Sequence, residues 1–274
     1  MYNLITRDFV SQHTELARII VAAAAPEKIY LLGCSVSHIR TESIFSYNQH
    51  TGRNVSHYYV LALVDKKEVE SIVGLQDKIE NNCQHFIPVT AIVLDIHRFN
   101  GWLIEGHPFA NKVYKMAECI HDAENIPLVV PKDFDEQELA KTNESMRSTG
   151  INKVEEFLAG ADLFRIREQN KMAAFMLHQA TEQALQTLFR ITTGLYIHTH
   201  NPDKLLRYCF MLSYKLPAVF PRTNEKNERL FQLLQKAYID TRYKDDYIIR
   251  TNDLLVITER VRNLLEILKN LIII

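Results

Sequence analysis

The chain has 274 residues, enough for two domains or one large one, and its 47% apolar and 24% charged content is that of an ordinary globular protein. Against 33 Asp and Glu stand 32 Lys and Arg, so the formal net charge of -1 excludes a bulk pull toward nucleic acid and leaves only local clustering to attract phosphate. The four cysteines, Cys34, Cys83, Cys119 and Cys209, show no C-x-x-C spacing, which argues against a zinc knuckle, and they are too sparse for a disulfide scaffold. They are expected to be reduced and mostly buried.

Residues 1–10 carry Arg7 and Asp8 and no apolar core of a secretory signal. The apolar run at 19–25 is far shorter than the roughly 20 residues a membrane-crossing helix needs, so a cytoplasmic protein without a membrane partner is expected. The last four residues, 271–274, are apolar and are expected to pack against a domain or a partner subunit.

Residues 3–25 predict a helix with Leu4, Phe9, Leu16, Ile19 and Ile20 on its apolar positions, stopped by Pro26. Residues 28–32 predict a short strand, followed by a small-residue turn at Gly33-Cys34-Ser35 and a polar stretch over 37–56 that is either a long loop or a short helix-loop insertion. The run 58–64 (YYVLALV) is the clearest strand, and 67–81 predicts a helix with Val69, Ile72, Val73, Leu75 and Ile79 on one face. A strand over 89–94 follows Pro88, then a helix over 98–116 interrupted at Gly106-His107-Pro108, then a short strand at 118–121. Phe99 and Trp102 on that helix are most simply core residues. This order implies a small α/β layer over residues 1–125.

Residues 126–150 hold Pro127, Pro131 and a polar stretch, and are expected to be a linker with a short helix near 135–143. From 151 to 274 the periodicity is helical throughout. Helices are predicted over 152–168, 169–192 with Gly194 as C-cap, 204–214 opened by Asn201-Pro202-Asp203, 227–243 and 252–268. The fold class is therefore α+β, a small mixed-sheet domain followed by an all-α bundle.

Three segments of the helical half carry a resemblance. They are the run from Ala174 through His178-Gln179-Ala180-Thr181-Glu182 to Leu185, the stretch His198-Thr199-His200 followed by Leu205 and Leu206, and the stretch Tyr238-Ile239-Asp240-Thr241-Arg242-Tyr243 leading to Tyr247. In this order they resemble the HEPN family. The resemblance implies a helical bundle that dimerises and works on RNA or nucleotides. Active HEPN ribonucleases carry Arg-x(4–6)-His, in which the histidine moves the proton of an attacking 2′-hydroxyl and the arginine holds the phosphate, without a metal. Here Arg242 has four residues after it and then Tyr247, whose ordinary pKa of about 10 makes a poor base. Arg190 and His198 are separated by seven residues and Gly194, and do not fit.

The α/β half resembles a minimal nucleotidyltransferase. Leu31-Leu32-Gly33-Cys34-Ser35 is similar to its first strand and Gly-Ser turn, residues 56–64 to its second strand, and residues 89–95, ending at Asp95, to the strand of its third carboxylate. The expected Asp-x-Asp is replaced by His57-Tyr58-Tyr59, and two-metal transfer needs clustered carboxylates. An inactive transferase-like module follows, and Mg²⁺ would enter only with residual transfer activity. No other cofactor and no structural metal is expected.

The candidate ligand-binding residues are Gly33, Ser35, Asp95, His178 and Glu182, and the candidate catalytic residues, for the ribonuclease case, are Arg242 and Tyr247. Each has a plainer reading. Gly33 and Ser35 form either a phosphate cradle or a simple turn. His178 and Glu182, one helical turn apart, line either a ligand or dimer groove or a packed core pair. His198 and His200 read as ordinary loop histidines. Arg242 with Asp240, Asp245 and Asp246 is either a phosphate site or a helix-end charge network. The leading expectation is an RNA- or nucleotide-binding regulatory protein, homodimeric through its helical half. The alternative is a metal-independent ribonuclease, using Arg242 with Tyr247 or a histidine supplied from elsewhere, of a toxin–antitoxin or stress-defence system.

Overall fold

In the computed structural model, which describes residues 3–41, 50–65, 71–244 and 246–271, the chain forms two compact units, 1–134 and 135–274. No helix of the described residues is long and apolar enough to cross a membrane.

The first unit runs α1 (Asn3–Ala24), β1 (Lys28–Thr41), β2 (His50–Val64), α2 (Ile72–Cys83), β3 (Val89–Asp95), α3 (Ile96–Glu105), α4 (Pro108–Met116) and β4 (Glu118–Asp122). The sheet order is β3-β2-β1-β4, with β2 parallel to β3 and the other pairs antiparallel. Leu16, Ala17, Ile20 and Ala23 recur at helical spacing on α1 and pack on the sheet face built by Ile29, Tyr58, Val60, Ala62 and Val64, together with Ile79 and Cys83 of α2. The alternate residues of β2, Tyr59, Leu61 and Leu63, are buried as well. A strand buried on both faces reads as a continuous apolar run rather than an alternating one, which is why 58–64 stood out in the sequence.

Three expectations are corrected here. Gly33-Cys34-Ser35 is not a turn: β1 continues through it to Thr41, with a register irregularity between Leu31 and Gly33. Leu32 is the residue skipped there, and Gly33 follows it inside the strand, paired with Tyr59. The polar segment 37–56 is mostly β1 and β2, which pair out to Thr41 and His50, while residues 42–49 of the expected loop lie outside the described residues. The cysteines divide evenly, with Cys83 and Cys209 buried and Cys34 and Cys119 exposed. Residues 67–70, expected to start α2, also lie outside the described residues, and Ser71 caps the helix by accepting from the Gly74 N–H.

The second unit is all helix: α5 (Glu136–Ile166), α6 (Asn170–Thr193), α7 (Pro202–Cys209), α8 (Leu216–Val219), α9 (Glu225–Tyr243) and α10 (Thr251–Asn270). Much of the stretch expected as a linker is the first half of α5, capped by Asp135, whose carboxylate accepts from the Gln137 and Glu138 N–H groups. That half shows no apolar stripe because few of its side chains are buried, Asn143 among them. Gly150, the last residue of the expected linker, lies inside α5 at a helix–helix contact: a Cβ there would lie 2.4 Å from the Thr187 side chain of α6. α6 is the central element and is buried nearly all round, from Ala173 to Ile191. Gly194 ends it at φ 78°, the left-handed conformation of a C-cap. Of the apolar tail, only Leu271 lies within the described residues.

Candidate functional site

The α/β unit does not bring its three candidate residues together. Ser35 pairs with His57, and Gly33 with Tyr59, which in turn pairs with Thr90 at the start of β3. Asp95 is five residues further along β3, about 16 Å away at the rise of a strand. Its carboxylate caps α3 by accepting from the Arg98 N–H at 2.8 Å, beside Val64 at the end of β2. The positions of the expected Asp-x-Asp are engaged in other ways. His57 Nε2 meets the Thr90 hydroxyl at 2.8 Å, the Tyr58 hydroxyl donates to Gln12 Oε1 at 3.2 Å, and the Tyr59 hydroxyl lies 3.1 Å from that of Ser35. Two Mg²⁺ ions about 4 Å apart require several converging carboxylates, and these residues do not fit them. Among the described residues no group of three or more His, Cys, Asp or Glu is placed to hold a metal ion.

The helical unit does assemble a polar cluster. On α6, Phe175, His178 and Glu182 fall on one face by helical spacing. On α9, Tyr238 and Arg242 are one turn apart. The loop between α6 and α7 brings in His200. Tyr238 is the shared surface: the His200 ring stacks on it at 5.2 Å and 10°, the His178 ring at 5.3 Å and 24°, and the Phe175 ring at 6.3 Å and 15°. The Arg242 guanidinium carbon lies 4.2 Å from the Tyr238 centroid and 5.8 Å from that of Phe175, and its Nε donates to the Tyr238 carbonyl at 2.8 Å.

Burial separates the roles. His178 is fully buried, and its Nδ1 faces the Leu234 carbonyl at 3.0 Å. A carbonyl only accepts, so Nδ1 carries the proton. Its Nε2 faces Glu182 Oε2 at 3.7 Å, too far for a hydrogen bond, and both atoms are buried without a hydrogen-bond partner. Glu182 Oε1 takes the better bonds, 2.9 Å from Nδ1 of His200 and 3.3 Å from the Gln186 amide. Burial pushes the Glu182 carboxyl up, and the facing imidazoles of His178 and His200 more than offset it, so it stays below the ordinary carboxylate value. It is an ionised acceptor at neutral pH. The His200 side chain, by contrast, is 65% exposed.

Arg242 is exposed, and among the described residues no carboxylate lies within ion-pair distance of it. Asp240 pairs with Lys244 at 3.0 Å instead, and Asp245 lies outside the described residues. Among the described residues the Arg242 guanidinium lies against the rings of Tyr238, Phe175 and Tyr243. Lys171, at the start of α6, reaches the Lys244 carbonyl at 3.4 Å and adds a second cation to this end of the bundle. Tyr247 is turned inward. It is buried, its hydroxyl donates to the Leu233 carbonyl at 2.9 Å, and burial, with the charge of Asp240, pushes its pKa up. A phenol that is desolvated and already donating is no general base.

His200 is the residue that sequence reasoning missed. It was set aside as an ordinary loop histidine because its partner, Glu182, is 18 residues away and on another element. The only sequence signal was that His178 and Glu182 form a polar stripe on an otherwise apolar helix, which calls for a further partner. A small hollow of about 180 Å³ adjoins the cluster, lined by Lys153, Gln183, Gln186, Arg190 and Tyr196 among others. Gln186 joins the two, since its amide also donates to the Thr199 carbonyl at 3.2 Å.

Residues 150–271 match the model of the HEPN domain. The matched region takes in the second half of α5 and all of α6 to α10, and so the entire cluster around Tyr238. No curated protein matches the chain.

Proposed function

We propose that the HEPN-matching unit binds RNA at the end of the bundle marked by Arg242, Tyr238 and Phe175, and that the chain acts as an RNA-binding regulatory protein. The observation that carries this reading is the Arg242 guanidinium, exposed, stacked on Tyr238 and free of a carboxylate among the described residues. A guanidinium fixed in orientation but not neutralised has its outer N–H groups available to a phosphate, and a planar fork suits that partner. Lys171 contributes a second positive charge. The remaining rim of Tyr243, 75% exposed and 5.3 Å from Arg242, supplies an aromatic face on which an unpaired base can stack.

In this reading the α/β unit is a nucleotidyltransferase-like scaffold without transfer chemistry, supported by His57, Tyr58 and Tyr59 at the acidic positions and by the separation of Asp95 from Gly33 and Ser35. The functional form is a homodimer through the helical unit, working in the cytoplasm.

Fluorescence anisotropy with a labelled single-stranded RNA tests the binding site. Arg242→Ala is expected to weaken binding about tenfold and to flatten the salt dependence by about 0.7 in log–log slope, the share of one phosphate contact on a single strand. Unchanged affinity and slope in that variant, with the fold intact, would refute the site. Mg²⁺-dependent incorporation of a labelled nucleotide by the purified chain would refute the reading of the α/β unit.

A further inference from the structure

We infer that the hollow between α5 and α6 is a binding site for a phosphate dianion, either inorganic phosphate or the end group of a small phosphate monoester. The inference goes beyond the RNA-binding reading and does not depend on it, since neither Arg242 nor any ring stacked on Tyr238 lines the hollow.

The hollow carries one sign of charge. Lys153 of α5 and Arg190 of α6 line it, and no aspartate or glutamate does. Other cations of this unit meet carboxylates, Arg262 at Asp162, Arg229 at Asp253 and Lys269 at Glu155. Lys153 and Arg190 make no ion pair among the described residues. The Arg190 guanidinium instead lies over the Tyr196 ring, 5.9 Å from its centroid, which orients it without neutralising it. Two uncancelled positive charges match a phosphate monoester, which carries about −1.5 to −2 at pH 7. The diester of an RNA strand carries a single charge, and both of its chain ends would have to leave the hollow.

A buried hydroxyl on the lining points to the same ligand. Thr181, Thr192 and Thr193 of α6 each donate to the carbonyl four residues back, at 2.8, 2.8 and 2.7 Å. Thr187, the remaining threonine of that helix, does not. It is 7% exposed, its oxygen accepts from the Gln183 amide at 3.2 Å, and its own O–H donates to nothing among the described residues. A buried donor calls for an acceptor, and here the hollow is where one can sit. A phosphate monoester turns three acceptor oxygens outward, so it can take Lys153 from one helix and Arg190 and Thr187 from the other at once. A planar carboxylate has only two. The volume of about 180 Å³ is below the roughly 300–1,000 Å³ of sites for drug-sized ligands, so a phosphate with few further atoms fills it. The next hollow along the seam is lined by Glu156, whose carboxylate keeps the anion in the first.

The test is calorimetric titration of the full chain with inorganic phosphate, methyl phosphate, dimethyl phosphate and acetate at one ionic strength, at about pH 8, above the second phosphate pKa of about 6. Inorganic phosphate and methyl phosphate should bind alike, and dimethyl phosphate and acetate at least about tenfold more weakly. Arg190→Gln and Lys153→Gln, both at exposed side chains, should each weaken methyl phosphate binding by about tenfold or more. Thr187→Val, which keeps the shape and removes the hydroxyl, should weaken it by about fivefold. Methyl phosphate should also raise the thermal midpoint of the wild type and not that of Arg190→Gln. A wild type without saturable binding overturns the proposal, as does equal affinity in wild type and Arg190→Gln. Dimethyl phosphate bound as tightly as methyl phosphate overturns it too, and would make the hollow a contact for an RNA strand.

Discussion

The Tyr247 hydroxyl donates to the Leu233 carbonyl across 2.9 Å, tying the segment after α9 back onto that helix. The bond is structural, so Tyr247→Phe should cost about 1 kcal/mol of stability, the ordinary worth of one hydrogen bond to a backbone acceptor. RNA binding should be unchanged. Denaturant unfolding followed by circular dichroism measures the first, and the RNA assays measure the second. A large loss of RNA binding in a variant of near-normal stability would place Tyr247 in the binding site.

Gly150 lets α5 and α6 approach each other closely. Alanine is the better helix former by about 1 kcal/mol, so an exposed Gly→Ala change would stabilise the helix. Here the new Cβ would meet Thr187 Cγ2 and Oγ1 at 2.4 Å and its Cβ at 2.9 Å, so rotating the threonine does not clear the space. Gly150→Ala should therefore destabilise the helical unit by about 1–3 kcal/mol. Adding Thr187→Ala should recover much of the loss. The interaction energy of that double-mutant cycle measures the contact directly, and strict additivity would show that the two residues do not touch.

The Arg229–Asp253 pair gives the helical unit a defined acid response. Its two bonds, 3.0 and 2.6 Å, form a fork between α9 and the first turn of α10. The Arg229 hydrogen bond holds the Asp253 carboxyl below the ordinary aspartate value, against the opposing effect of burial. A carboxylate whose folded pKa is depressed contributes stability that is fully present above the unfolded value, about 3.9, and is lost as pH falls through the folded one. Asp253→Asn should remove that contribution, leaving the variant less stable at pH 7 and closer to wild type at pH 2. Because the Arg229 side chain is about half exposed, solvent screening limits the difference at pH 7 to about 1 kcal/mol. Urea titrations at the two pH values check the sign. A gap that widened toward low pH would contradict it.

Much of the architecture was legible along the chain because it is local. The apolar run at 58–64 reads as a strand buried on both faces, and the stripes of α6, α9 and α10 read as helices, because backbone period and side-chain direction are fixed within a few residues. The helix start at Asn201 and the C-cap at Gly194 follow from single residues acting on the adjoining turn. The polar stripe of His178 and Glu182 was visible for the same reason.

What the order of residues did not decide was which distant groups meet. Gly33 and Gly150 have the same local chemistry, yet strand pairing makes one a residue inside β1 and helix packing makes the other a contact. The pairing register puts Asp95 at the far end of the strand from Gly33, so residues that seemed to share a ligand do not meet. His200 gains its meaning only from α6 and α9: Glu182 orients it, and Tyr238 sets it on the ring that also carries Arg242. Period and propensity are properties of a short stretch of chain, whereas a site is a coincidence of stretches, and only the packing of the bundle brings that about.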